Sequence, residues 1–208
     1  MSSQAIARSP SRARIRRRRL TALIAAALLG GGAAAAVTGL LPLGDAVREI
    51  TLPLRHDDII RQQAADKGLD PALIAAVIYE ESRFRDQTSH AGARGLMQIT
   101  PETADFIARR SGGVRFEQSD LATPQINIAY GAWFLRYLID HYDGNETPAI
   151  AAYNAGITNV NGWVERAGGP ESFDAAQHVP FPETRAYVAN VQARRAEYRE
   201  HYADDLGL

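Results

Sequence analysis

The sequence contains no cysteine. That removes disulfides, thiolate metal sites, lipid attachment through a cysteine and every cysteine-nucleophile mechanism, the papain-like cell-wall peptidases among them. The five histidines (His56, His90, His141, His178 and His201) show no His-Glu-x-x-His spacing. A zinc peptidase is therefore disfavoured, and scattered loop or surface positions account for these side chains. Segments that alternate apolar and polar residues are also lacking, and no Asn-Gly turn joins two such runs, so β-hairpins are not expected. Acidic residues are absent from the first 19 positions, and charge of either sign is absent from Leu20 to Gly44.

What is present divides the 208 residues sharply, beneath a net charge of only −1. Residues 1–19 carry seven arginines (+7), and Asp45 to Leu208 sum to −8. A basic run, an apolar run and then an acidic domain is the order of an export signal or a signal-anchor. Residues 1–19 read as a basic cytoplasmic tail by the positive-inside rule, and residues 20–44 as a transmembrane anchor or signal peptide. The uncharged stretch exceeds the roughly 20 residues a spanning helix needs. Gly30-Gly31-Gly32 and Ala33–Ala36 leave cleavage and secretion open as the alternative. A retained single-pass anchor is favoured because apolar sequence resumes through Val37, Leu40, Leu41 and Leu43. Nucleic acid is not expected as a partner, since the rest of the chain is acidic. Residues 45–56 read as a linker, and 57–203 as one domain on the extracytoplasmic side.

Within that domain, helix punctuation recurs. Asp57 is expected to cap a helix that Gly68 ends. Asp70-Pro71, Thr100-Pro101, Thr123-Pro124 and Thr147-Pro148 each read as an N-cap followed by proline. The four helices they open run to about Ser82, to Gly112-Gly113, to about Tyr142 as the longest, and through Tyr153. Helices over Asn159–Ala167 and from Pro182 to about Tyr202 complete an all-α set of about seven.

One carboxylate sits where apolar side chains belong. With about 100° per residue and Leu73 at 0°, Val77, Ile74 and Ile78 fall at about 40°, 100° and 140°. Glu81 falls at about 80°, mid-face, and Glu80 at about 340°, on the flank. A carboxyl on a core-facing stripe is costly unless paired or protonated, and a raised pKa is what a general acid needs. The alternative is that the helix has ended by residue 81 and Glu81 points to solvent.

Other segments bear on that choice. Glu81-Ser82-Arg83-Phe84 is followed by Ser89-His90-Ala91-Gly92-Ala93-Arg94-Gly95-Leu96-Met97-Gln98-Ile99, by Asn127-Ile128, by Ala152-Tyr153-Asn154-Ala155-Gly156, and by Pro182-Glu183-Thr184-Arg185-Ala186-Tyr187-Val188. In this order, over roughly residues 57–200, the segments resemble the soluble lytic transglycosylase family, lysozyme-like enzymes that cut peptidoglycan glycan strands. Departures are Asp86 where many members have proline, Thr100 where many have methionine, and Ile157-Thr158 for the commoner Pro-Gly.

The resemblance implies a lysozyme-like helical domain with a glycan-binding groove and Glu81 as single catalytic acid/base. Peptidoglycan strands would be the partner, with no cofactor and no metal. Ordinary glycosidases need two carboxylates; the family closes the 6-hydroxyl of N-acetylmuramic acid on its own anomeric carbon and leaves a 1,6-anhydro end. Substrate-binding roles are implied for Ser82, Met97, Gln98, Asn127, Tyr153, Asn154, Glu183 and Tyr187. Ser82 would stand beside the acid, Gln98 would bond a sugar, Tyr153 would point into the groove, and Glu183 would orient the centre. Leu96 or Met97 as plain core, and Asn127 as a solvated helix residue, remain open. So do two rival functions on the same fold: a lysozyme-type hydrolase with water as acceptor, and a non-catalytic glycan-binding domain.

Overall fold

A computed structural model describes residues 43–112 and 116–208. The expected cytoplasmic tail and nearly all of the apolar stretch 20–44 lie outside the described residues. Among those described, no helix is long and apolar enough to cross a membrane. The chain divides into two units, Met1–Thr51 and Leu52–Leu208. Of the first, helix α1 (Leu43–Thr51) is described, running from the last two residues of the stretch read as the anchor into the linker; the Thr51 hydroxyl donates to the Val47 carbonyl at 2.9 Å.

The second unit is all-α. Its helices are α2 (Asp57–Lys67), α3 (Pro71–Ser82), α4 (Pro101–Ser111), α5 (Pro124–His141), α6 (Glu146–Ala155), α7 (Ile157–Ala167), α8 (Ala175–His178), α9 (Pro182–His201) and α10 (Ala203–Leu206), with 3₁₀ turns at Gln118–Ala122 and Pro170–Ser172. The only β pairing among the described residues is a pair of isolated bridges, Thr88 to Arg94 and Arg94 to Ile99.

Capping explains most boundaries. The Asp70 side chain accepts the Ala72 N–H at 2.9 Å, and Thr100 accepts the Thr103 N–H at 3.2 Å. Thr100 is thus an N-cap, a role open to threonine and closed to the methionine many family members carry there. Three expectations change. His56, in a left-handed conformation, stands at the cap position expected of Asp57, which opens α2 instead. Helix α6 starts from Asn145, whose side chain accepts the Thr147 N–H at 3.0 Å. Pro148 then falls in the first turn, where N–H groups lack helical partners in any case. The longest helix is α9, with 20 residues against 18 in α5.

Helix α3 is the axis of the domain. Ala72 to Ile78 are wholly buried, so the helix is apolar all round rather than striped, as a central helix must be. Helix α9 packs along it, and α2 packs against both α3 and α5; α6 lies against α5, α7 and α9. Asp70 fastens this frame: it pairs with Arg195 at 2.5 Å and Arg199 at 2.7 Å, and Arg195 reaches Glu146 of α6 at 2.5 Å. The far end of α9 is tied back by Tyr198, whose hydroxyl donates to the Pro53 carbonyl at 2.7 Å.

Candidate active site

Helix α3 continues through Ser82 and is stopped by Arg83, in a left-handed conformation with its N–H on the Tyr79 carbonyl. Glu81 therefore lies in the last helical turn, partly buried, and not in a solvated tail. The hydroxyl of Tyr187, on the buried face of α9, donates to Glu81 Oε1 at 2.6 Å. Burial pushes the Glu81 carboxyl up to about 7; the bond from Tyr187 opposes the rise and the neighbouring charge of Glu80 adds to it. Burial, and then the Glu81 charge, push the phenols of Tyr153 and Tyr187 well above 10. Both hydroxyls accordingly stay protonated beside a carboxyl that is half ionised at neutral pH.

The loop from Phe84 to Thr100 is fixed on both sides of Met97 by three bonds. The Ser82 hydroxyl donates to the Leu96 carbonyl at 2.7 Å. Asn127 Oδ1 accepts the Met97 N–H at 2.8 Å, and Tyr153 Oη donates to the Met97 carbonyl at 3.0 Å. Asn127 Nδ2 donates to the Arg94 and Leu121 carbonyls at 2.9 and 3.0 Å. A β-carbon at Gly95, where φ is +75°, would run into the Asn127 amide, and one at Gly131 into the Met97 sulfur. Close packing of protein on protein requires both glycines.

Three residues expected at the substrate have their side chains engaged with the protein itself. Asn127 is 0% exposed and spends its amide on loop backbone, so it is not solvated. The Met97 side chain is also 0% exposed and packs against Gly131, leaving only backbone at the site. Ser82 is buried with its hydroxyl committed to the loop. Each is polar or apolar for the sake of loop geometry, which linear sequence does not show.

Gln98 is partly exposed in a left-handed conformation, and its amide nitrogen donates to the Gly95 and Gln87 carbonyls at 2.9 and 3.0 Å. Asn154 is exposed, and its Oδ1 accepts from the buried Thr184 hydroxyl at 2.8 Å, which joins α6 to α9. Glu183 is exposed on the first turn of α9. The bond to the Glu81 carboxyl comes from Tyr187, one turn further on. Among the described residues no group of three or more His, Cys, Asp or Glu side chains could hold a metal ion.

A hollow of about 270 Å³ opens beside this centre, lined by Glu80, Glu81, Ser82, Arg83, Arg85 and Gln87. Residues 58–175, which include the α3 carboxylate, the pinned loop and the Tyr153 turn, match the family model for the transglycosylase SLT domain. The chain belongs to the SLT family.

Its relatives agree with that placement. The chain is 32% identical over 159 residues to the soluble lytic murein transglycosylase of Escherichia coli K12, covering 75% of this chain and 25% of that protein. It is 34% identical over 143 residues to membrane-bound lytic murein transglycosylase C of Glaesserella parasuis, covering 59% of this chain and 39% of the relative. Among solved structures, lytic transglycosylase Slt of Pseudomonas aeruginosa, crystallised as an inactive glutamate-to-glutamine mutant, superposes with a TM-score of 0.67 at 33% identity. That match covers 74% of this chain and 25% of the other. The SLT chain thus spans about a quarter of the length of the soluble transglycosylases it matches.

Sequence reasoning missed Thr184, Asn190 and Arg194. All three lie on α9, and their partners (Asn154 for Thr184, Glu80 for the other two) come from distant segments. No sequence spacing signals such pairs.

Proposed function

We propose that residues 57–203 are a lytic transglycosylase domain that cleaves the β-1,4 bond between N-acetylmuramic acid and N-acetylglucosamine in peptidoglycan. The observation that carries this is Glu81: a partly buried carboxyl, bonded to a tyrosine hydroxyl and raised to about 7. Such a group can donate a proton and take one back near neutral pH, as a one-carboxylate mechanism demands.

In the proposed cycle, protonated Glu81 gives its proton to the glycosidic oxygen as the bond to the muramic anomeric carbon breaks. The substrate's own N-acetyl carbonyl stabilises the charge that develops there. Ionised Glu81, supported by Tyr187, then takes the proton of the 6-hydroxyl as that oxygen bonds the anomeric carbon. The products are a free 4-hydroxyl and a 1,6-anhydro-muramic end; water is not consumed and Glu81 returns protonated. Tyr153, Gln98 and Asn154 are assigned to the substrate side of the site. Met97, Asn127 and Ser82 are assigned to holding the loop.

The domain is proposed to act on the extracytoplasmic face of the membrane, with residues 1–19 cytoplasmic and 20–44 as the anchor. The charge pattern supports this, and one relative is by name membrane-bound. Recovery of full-length protein in the membrane fraction, with residues 57–203 open to protease from outside, is the expected result.

Digestion of purified peptidoglycan followed by mass analysis of the muropeptides tests the reaction. Anhydro ends are expected. Reducing ends one water heavier would assign a hydrolase, and absence of release would assign a binding domain.

A further inference from the structure

Glu80 is not needed by the mechanism above, yet it too is held by side chains of α9. Helix α9 faces the end of α3 with Tyr187, Asn190 and Arg194, spaced three and four residues apart along one stripe. Tyr187 takes Glu81. Asn190 Nδ2 donates to Glu80 Oε2 at 3.1 Å, and Arg194 Nε lies 3.6 Å from Glu80 Oε1. The Arg194 guanidinium is itself fixed 4.6 Å over the Tyr79 ring and shared with Glu197 at 2.5 Å. Its charge is therefore only partly spent on Glu80. The Glu80 side chain is 14% exposed and lines the same hollow as Glu81.

We infer that Glu80, held by Asn190 and Arg194, is a positioning residue whose negative charge adds to burial in keeping the proton on Glu81 to higher pH. The inference rests on the reading of Glu81 as the acid/base. A carboxylate one residue away, tethered on the side of α9, cannot swing into bulk water to escape its neighbour. Its field favours the protonated acid. The other groups that face Glu81 or share its hollow are Tyr187 of α9, Tyr153 of α6, and Arg83 and Arg85 of the loop.

Glu80→Gln removes the charge while leaving an amide that can still bond Asn190, whereas Glu80→Asp keeps the charge. Carbon-13 titration of the Glu81 carboxyl, identified by its loss in Glu81→Gln, reads the effect without catalysis. The midpoint is expected to fall by about half a unit to one unit in Glu80→Gln, with the alkaline limb of the pH–rate profile moving equally, and to stay in place in Glu80→Asp. An unmoved midpoint in Glu80→Gln, or rates reduced alike at every pH, overturns the inference. A shifted midpoint in a protein that releases nothing from peptidoglycan supports the tuning and overturns the cleavage reading instead.

Discussion

Glu81 is held between two opposing influences, and each can be altered singly. Burial raises its carboxyl to about 7, well above the ordinary 4.5. The folded state therefore binds the proton more tightly than the unfolded chain. Stability contributed this way is complete below about pH 4.5 and is lost as pH rises through about 7. Glu81→Gln carries no such loss, so it should be more stable than the parent at pH 8 by up to about 3 kcal/mol, and not at pH 4. Thermal unfolding at the two pH values measures the difference. The same variant should lose release of muropeptides by about a thousandfold or more while still sedimenting with peptidoglycan. Tyr187→Phe removes the donor that favours the ionised acid. Its alkaline rate limb should therefore move up by about one pH unit, opposite in sign to Glu80→Gln. A limb that stayed in place would mean that the Tyr187 bond does not act on the titrating group.

At the scale of elements, the loop from Phe84 to Thr100 contributes mainly backbone, and its shape depends on side chains from other helices. Asn127→Leu would strip the partners from the buried Met97 N–H and Leu121 carbonyl, while the Arg94 carbonyl would keep only its bond from the Ile99 N–H. Unpaired buried groups of this kind cost about 1–3 kcal/mol each before relaxation. A loss of about 3 kcal/mol is expected in urea unfolding, together with lower activity through the displaced loop. Gly131→Ala drives a methyl into the Met97 sulfur and should cost about 1–3 kcal/mol by overpacking. The outcome to set against both is a variant as stable as the parent whose KM alone has risen, which would mean direct substrate contact.

Across the whole helical domain, α9 joins the Glu81 end of α3 to its opposite end. Tyr187 touches Glu81 near one end, and Arg195 and Arg199 grip Asp70 near the other. Burial alone would raise the Asp70 carboxyl, but Arg195, the Ala72 N–H and Arg199 outweigh it and hold it below the usual 3.8. The sign is opposite to that of Glu81: this stability is present above about pH 4 and is lost as pH falls through the lowered value. Asp70→Asn should therefore be less stable than the parent at pH 7, by about 2 kcal/mol in urea unfolding, with the gap closing toward pH 2. A gap independent of pH would remove the ion pairs from the account.

The sequence by itself determined the helical class and most helix starts, because these depend on local chemistry. A capping side chain next to a proline sets a boundary within a few residues, whereas spacing left Glu81 open and resemblance singled it out as the candidate acid. The motifs around Tyr153 and Tyr187 were legible as motifs, through resemblance. Only the tertiary structure decided what each motif residue touches. It showed the Asn127 and Ser82 side chains bonded to loop backbone and the Met97 side chain packed in the core. It also gave the bond to Glu81 to Tyr187, with Glu183 left exposed, and brought Glu80 under Asn190 and Arg194. The reason is physical: burial and charge depend on distances between α3, α5, α6 and α9, and segments far apart in sequence set those distances by packing.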